Sequence, residues 1–97
     1  MTKSQKEACK VIAQYYGEGS QHNILQEELA ELIQAVSKVR REIPDADRRL
    51  LDALADVSIM VEQIISYMDE DEHTEFYKII NVKLQNQLQI IKERQGG

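Results

Sequence analysis

The chain has 97 residues, 42% of them hydrophobic, and its 12 lysines and arginines against 17 aspartates and glutamates leave a formal charge of −5, with one cysteine, one proline and no tryptophan. Such a length predicts one small domain without an accessory one, and it makes association between subunits the expected source of further burial. Residues 1–44 carry six cations and six carboxylates, residues 45–75 two and ten, and residues 76–97 four and one. With no basic face and a strongly acidic middle, nucleic acid is an unfavourable partner, and phosphate requires a mediating cation.

No run approaches the 18 or more apolar residues of a membrane span, and the segment MTKSQKEACK has no apolar signal core, so no membrane is involved and a cytoplasmic location is expected. Cys9 has no second cysteine to pair with and reads as a small buried hydrophobe.

Four amphipathic segments follow one another, and none shows the period-two alternation of a half-buried strand. Helix one is expected over residues 3–16, with Ala8, Val11, Ile12 and Tyr15 on one face, stopping at Gly17-Glu18-Gly19-Ser20, where Ser20 is placed to cap the next helix. Helix two, expected from about Gln21 to Arg41, spaces Leu25, Leu29, Leu32, Val36 and Val39 as a bundle seam. Pro44 interrupts the helical pattern, Asp45 or Asp47 can cap helix three, and Leu50, Leu54, Val57, Val61, Ile64 and Met68 repeat the seam. The short connection predicts antiparallel packing of these two helices. Asp69 to Glu72 read as a solvated turn before a fourth helix capped by Thr74, with Tyr77, Ile80, Leu84, Leu88 and Ile91 on one face and a stop at Gly96-Gly97. The fold class expected is all-α, a four-helix antiparallel bundle completed by oligomerisation into a homodimer or homotetramer, with the off-seam Ile59, Ile79 and Ile90 as subunit contacts.

Helices two and three contain a near-repeat, EELAE at residues 27–31 and DALAD at residues 52–56. At 100° per residue, Glu28 falls roughly 60° and Glu31 roughly 120° from the seam centre, and Ala53 and Asp56 take the same offsets on helix three. Glu28, Glu31 and Asp56 therefore sit on the shoulder of the apolar stripe, while Glu27 and Asp52 point further out. Partly desolvated like charges raise one another's pKa unless a cation neutralises them, and an oxygen-only ligand set favours Mg²⁺ or Mn²⁺ over zinc. No lysine or arginine lies four residues from Glu28 or Glu31 to form the ion pair common on solvated helices.

The ordered set Tyr16-Gly17, Gln21, Glu28-Leu-Ala-Glu31, Ala53-Leu-Ala-Asp56-Val57, Ile59-Met60-Val61-Glu62-Gln63 and Asn81-Val-Lys83-Leu84 resembles the all-α nucleoside triphosphate pyrophosphohydrolases, the MazG-like group, especially its short phage-type members. The resemblance covers about residues 15–90. It implies Mg²⁺-dependent hydrolysis of a nucleoside triphosphate to the monophosphate and pyrophosphate, with Glu28, Glu31 and Asp56 as catalytic metal ligands and Lys83 at a phosphate. Gln21 would contact base or ribose, Asn81 the nucleotide, and Tyr16 would stack at the site edge, whereas Tyr15 is expected in the core. The family has Glu where this chain has Ala53, so a fourth ligand would have to come from Asp52 through a distortion or rotation of the helix. Asn86 and Gln87 stand where the family continues with arginine. An alternative is therefore a MazG-like bundle with weakened or lost hydrolysis, acting in nucleotide or metal binding or in regulation; a purely structural helical adaptor is a third. Glu70-x-x-His73 has di-iron spacing but no second copy, and His22 and His73 read as solvent-exposed.

Overall fold

Four helices form in the order expected: α1 (Lys3–Tyr16), α2 (Glu18–Arg40), α3 (Ala46–Ile65) and α4 (Glu70–Gly96). The structure is a computed structural model that describes residues 1–96, and among those residues there is no strand. The expected stop at Gly97 lies outside the described residues. No described helix is long and apolar enough to cross a membrane. Residues Met1–Tyr67 make one compact unit, and a second begins at Met68.

α1 starts at a capping box in which the Gln5 amide donates to Thr2 Oγ1 at 3.1 Å and the Thr2 amide donates to Gln5 Oε1 at 2.8 Å. It ends at Gly17, whose φ of 89° is a conformation that side chains disfavour. That one residue both closes α1, donating its N–H to the Ala13 carbonyl, and opens α2, accepting from the Gln21 amide. The four-residue break expected at 17–20 is thereby reduced to Gly17 alone. Glu18 enters the first turn of α2, where its charge suits the helix dipole, and Ser20 lies within the helix instead of capping it.

α2 ends in a Schellman motif: the Ile43 amide donates to the Lys38 carbonyl and the Glu42 amide to the Val39 carbonyl. Its left-handed position is occupied by Glu42, at φ 57°, and a second left-handed residue, Asp45 at φ 64°, precedes α3. Asp45 holds the N-cap position but makes no side-chain cap hydrogen bond. These two reversals turn the chain within five residues and send α3 back along α2, the antiparallel hairpin expected.

The covered faces overlap the expected seams without coinciding with them. On α2 the residues at least half-buried are Gln21, Ile24, Leu25, Glu28, Leu32, Ala35, Lys38 and Val39, and on α3 they are Ala46, Leu50, Ala53, Asp56, Val57, Met60, Glu62, Gln63, Ile64 and Ile65, with Ala46, Ala53, Met60 and Gln63 fully buried. Leu29, Val36, Leu54 and Val61, expected inside, remain 39–44% exposed. Alanines at 35, 46 and 53 let the backbones come close, so the line of contact follows the small residues and rotates the larger aliphatics outward. α1 packs the same way, through buried Cys9 and Ala13, mainly against α3. Tyr15, expected in the core, is 82% exposed because it lies off the Cys9–Ala13 line. Ile59, expected at a subunit contact, borders a small apolar pocket shared with Ala8, Cys9 and Ile12 of α1.

In the second unit, α4 begins four residues before Thr74. The Glu72 amide donates to Asp69 Oδ1 at 2.8 Å and the Asp69 amide to Glu72 Oε1 at 3.3 Å, so the acidic run is a reciprocal cap plus a first turn, and Thr74 donates its hydroxyl to the Glu70 carbonyl. No residue of α4 is fully buried.

Glu42 carries the cost of a Cβ in a left-handed cap without any side-chain hydrogen bond recorded for it. Glu42→Gly is expected to raise unfolding stability by about 0.5–1 kcal/mol, read from chemical denaturation midpoints at unchanged m-value. A loss of stability on this substitution would contradict the strained-cap account.

Candidate metal centre

The antiparallel register of α2 and α3 sets Glu28 and Glu31 opposite Asp56. One carboxylate oxygen from each lies within 4.8 Å of the others. Glu28 and Glu31 share a helix face because three residues advance about 300°, nearly a full turn. Because α2 is rotated toward its small-residue side, Glu28 is not on a shoulder, as the periodicity suggested, but inside the covered face between Gln21 and Leu32.

Glu28 and Asp56 are half-buried and Glu31 is exposed. Glu28 Oε2 is shut off from solvent and has no hydrogen-bond partner. Burial, and then the negative charges of Glu31 and Asp56, push the Glu28 carboxyl above its ordinary range. A buried acceptor lacking a donor, next to two more carboxylates, is an unfavourable arrangement for the protein alone. The donor set is chemically suited to a hard divalent cation, which prefers oxygen and, in the case of magnesium, retains positions for water or phosphate. The cluster could therefore bind a metal ion.

The cluster opens onto a groove of about 280 Å³ lined by Glu31, Gln34, Ala35, Lys38, Arg49, Asp52, Ala53 and Asp56. Asp52 is exposed on the groove wall and is not among the three converging carboxylates. Ala53 is buried at the groove floor, where it presents a methyl group and no carboxylate. Gln21 is 1% exposed, with Oε1 unpartnered. Tyr16 is exposed at the end of α1, with the Tyr15 ring edge-on to it at 4.9 Å. Asn81 and Lys83 belong to the second unit and are exposed on α4; Lys83 borders a shallow groove there with Lys78, Ile79, Val82 and Asn86, and Asn81 does not. His22 is exposed and lies 3.8 Å from Glu18, while His73 is half-buried against Tyr77 and not solvent-exposed as expected.

Sequence reasoning gave no role to Gln63, which is 2% exposed with an unpartnered Oε1, nor to Lys38 and Arg49 as groove residues. The signal available was spacing. Gln21 precedes Glu28 by seven residues and Gln63 follows Asp56 by seven, so antiparallel helices bring both amides to one level; Lys38 and Arg49 stand two turns away in the other direction.

The raised Glu28 carboxyl has a sign that can be read in chelator. Its folded pKa lies above the unfolded one, so it stabilises the fold while protonated, and that contribution is lost as pH rises from the ordinary value of about 4.5 through the raised one. Glu28→Gln is expected to flatten this decline, making the variant more stable than wild type at pH 7.5 in EDTA and no more stable at pH 4, as followed by thermal melting. An equal offset at both pH values would show that Glu28 does not titrate in a desolvated site.

Compared with known protein families, with curated proteins and with solved structures, the chain matches none.

Proposed function

We propose that this protein is a Mg²⁺-dependent nucleoside triphosphate pyrophosphohydrolase, cleaving the bond between the α- and β-phosphates to give the monophosphate and pyrophosphate. The observation that carries the reading is Glu28, half-buried with its Oε2 shut off from solvent and unpartnered, converging with Glu31 and Asp56. When bound there, Mg²⁺ (or Mn²⁺) supplies the charge neutralisation and the polarisation of phosphorus that phosphoryl transfer requires. Glu28 and Asp56, fixed on two packed helices, are the rigid members that hold it. Glu31 is the exposed member and can orient a water and accept its proton, so that the water oxygen bonds to phosphorus as the α–β bridging oxygen leaves with pyrophosphate. Gln21, seven residues before Glu28 on α2, and Tyr16, at the end of α1, are the residues assigned to the nucleoside.

The protein works as a homodimer or homotetramer in this reading. Leu29, Ile33 and Val36 of α2 and Leu51, Leu54 and Val61 of α3 are exposed on one side of the hairpin, and α4 exposes Ile79, Leu84, Leu88 and Ile91, more aliphatic surface than a monomer of this size usually leaves in water. A second copy would cover it. Light scattering at micromolar concentration should give at least twice the chain mass; a monomeric mass with cooperative unfolding would remove this part of the proposal.

Ala53 favours a second reading, a bundle that binds metal and nucleotide with hydrolysis weakened, because three carboxylates hold fewer ions than four. Incubation with Mg²⁺ and a panel of ribo- and deoxynucleoside triphosphates separates the two: pyrophosphate release supports the enzyme, orthophosphate alone contradicts α–β cleavage, and binding without turnover supports the second reading. Ala53→Glu adds a carboxylate at the groove floor. It is expected to cost about 1–3 kcal/mol in chelator and to enlarge the Mg²⁺-dependent rise in melting temperature. Equal destabilisation in both conditions would mean that the two helices do not share a metal site.

A further inference from the structure

The groove that begins at the carboxylates does not end with them. Lys38 of α2 and Arg49 of α3 line its opposite end, where the hairpin turns. Lys38 follows Glu31 by seven residues and Arg49 precedes Asp56 by seven, so each cation stands two helical turns, roughly 10 Å, from a cluster member on its own helix. Helical side chains lean toward the N-terminus, so Lys38 reaches back in the direction of Glu31 and Asp56 leans in the direction of Arg49. Between the two ends the floor is Ala35 and Ala53, which leave the groove open for an elongated ligand.

Neither cation makes an ion pair within 4.0 Å, although Asp45 and Asp52 border a groove with Arg49. Among the described residues the one ion pair within 4.0 Å is His22 with Glu18. Asp52 shares the groove wall without pairing with either. Lys38 is half-buried, and Arg49, next to Arg48, sits in the opening turns of α3, where the helix dipole is already positive. Lys38, in the last turn of α2, is suited to its helix dipole, whereas Arg49 opposes its own, and an anion between the two favours both. We infer that Lys38 and Arg49 form an anion subsite for the phosphates beyond the scissile bond, the β- and γ-phosphates that leave as pyrophosphate. The inference rests on the reading of Glu28, Glu31 and Asp56 as the metal centre. The groove is then acidic where a metal ion meets the phosphate chain and basic where the chain's terminal charge lies. A monophosphate held at the carboxylates would not reach the cations, so the pair selects for polyphosphate length and leaves the base unread.

Inorganic tripolyphosphate and orthophosphate are the probes, each added to wild type and to the double variant Lys38→Gln/Arg49→Gln in excess Mg²⁺ and in EDTA, with melting temperature and calorimetric affinity as readouts. Tripolyphosphate should stabilise wild type beyond Mg²⁺ alone, and orthophosphate should not. The double variant should keep the full Mg²⁺ effect but bind tripolyphosphate about tenfold or more weakly, the loss expected for charge-assisted hydrogen bonds. Arg49→Lys, which keeps the charge, should retain most of the affinity. Wild-type affinity in the double variant, or no preference for tripolyphosphate over orthophosphate, would overturn the subsite. Failure of the metal reading has a different signature: Mg²⁺ leaves both melting temperatures unchanged. In that case a double-variant loss of tripolyphosphate binding in EDTA still upholds the anion subsite, and no binding in EDTA overturns it as well.

Discussion

Everything in the first unit depends on how closely α2 and α3 approach. Alanines at positions 35, 46 and 53 set that distance, and with it which residues are forced into the contact. With these alanines and Leu25, Leu32, Val39, Leu50, Val57 and Ile64 covered, the hairpin also takes Glu28 into its covered face and leaves Leu29, Val36, Leu54 and Val61 partly outside. One packing choice therefore creates both chemical features of the protein, a desolvated acidic cluster on one side of the hairpin and an uncovered aliphatic surface on the other.

The two features are linked energetically. A small unit with only six fully buried hydrophobic residues has little stability in reserve, yet it keeps Glu28 and two glutamines with buried, unpartnered oxygens. Each such atom costs the fold on the order of 1–3 kcal/mol unless a ligand or water meets it. A cation at the carboxylates and a second copy on the aliphatic surface would each return stability by binding only the folded chain. Folding, metal binding and association are then coupled equilibria, and occupancy of one raises the apparent affinity of the others.

The helices were legible in the sequence because period and punctuation agree: Gly17 and Pro44 mark real reversals, and α1 has the limits that its apolar spacing predicts. The carboxylates Glu28, Glu31 and Asp56 were legible for the same reason, being fixed by helical period within each segment. The covered face was legible in part: Leu25, Leu32, Val39, Leu50, Val57 and Ile64 are covered as expected, Leu29, Val36, Leu54 and Val61 are not. Aliphatic side chains dominate any periodicity, whereas close approach is decided by alanine, which adds little to the pattern. The start of α4 was missed because Asp69 and Glu72 cap each other, and a run of four acids looks like a solvated turn until that reciprocity is seen. Gln63, Lys38 and Arg49 acquire meaning only from the register between two helices, which depends on the left-handed residues Glu42 and Asp45, of which only the aspartate is of a type that favours such a turn.

The Tyr67 hydroxyl donates to the Ala13 carbonyl, which also accepts the Gly17 amide, and so ties the last turn of α1 to the residue just beyond α3, 54 positions along the chain. Closing so long a loop carries a large entropic cost, whereas the α2–α3 hairpin closes through a short connection. The hairpin is thus the local part of the unit, and the seating of α1 against it is the non-local part. Cys9 lies on the face of α1 buried in that seating, beside Ile59, so the same seating removes the thiol from water. Reaction of Cys9 with a thiol reagent in the native protein therefore requires α1 to open.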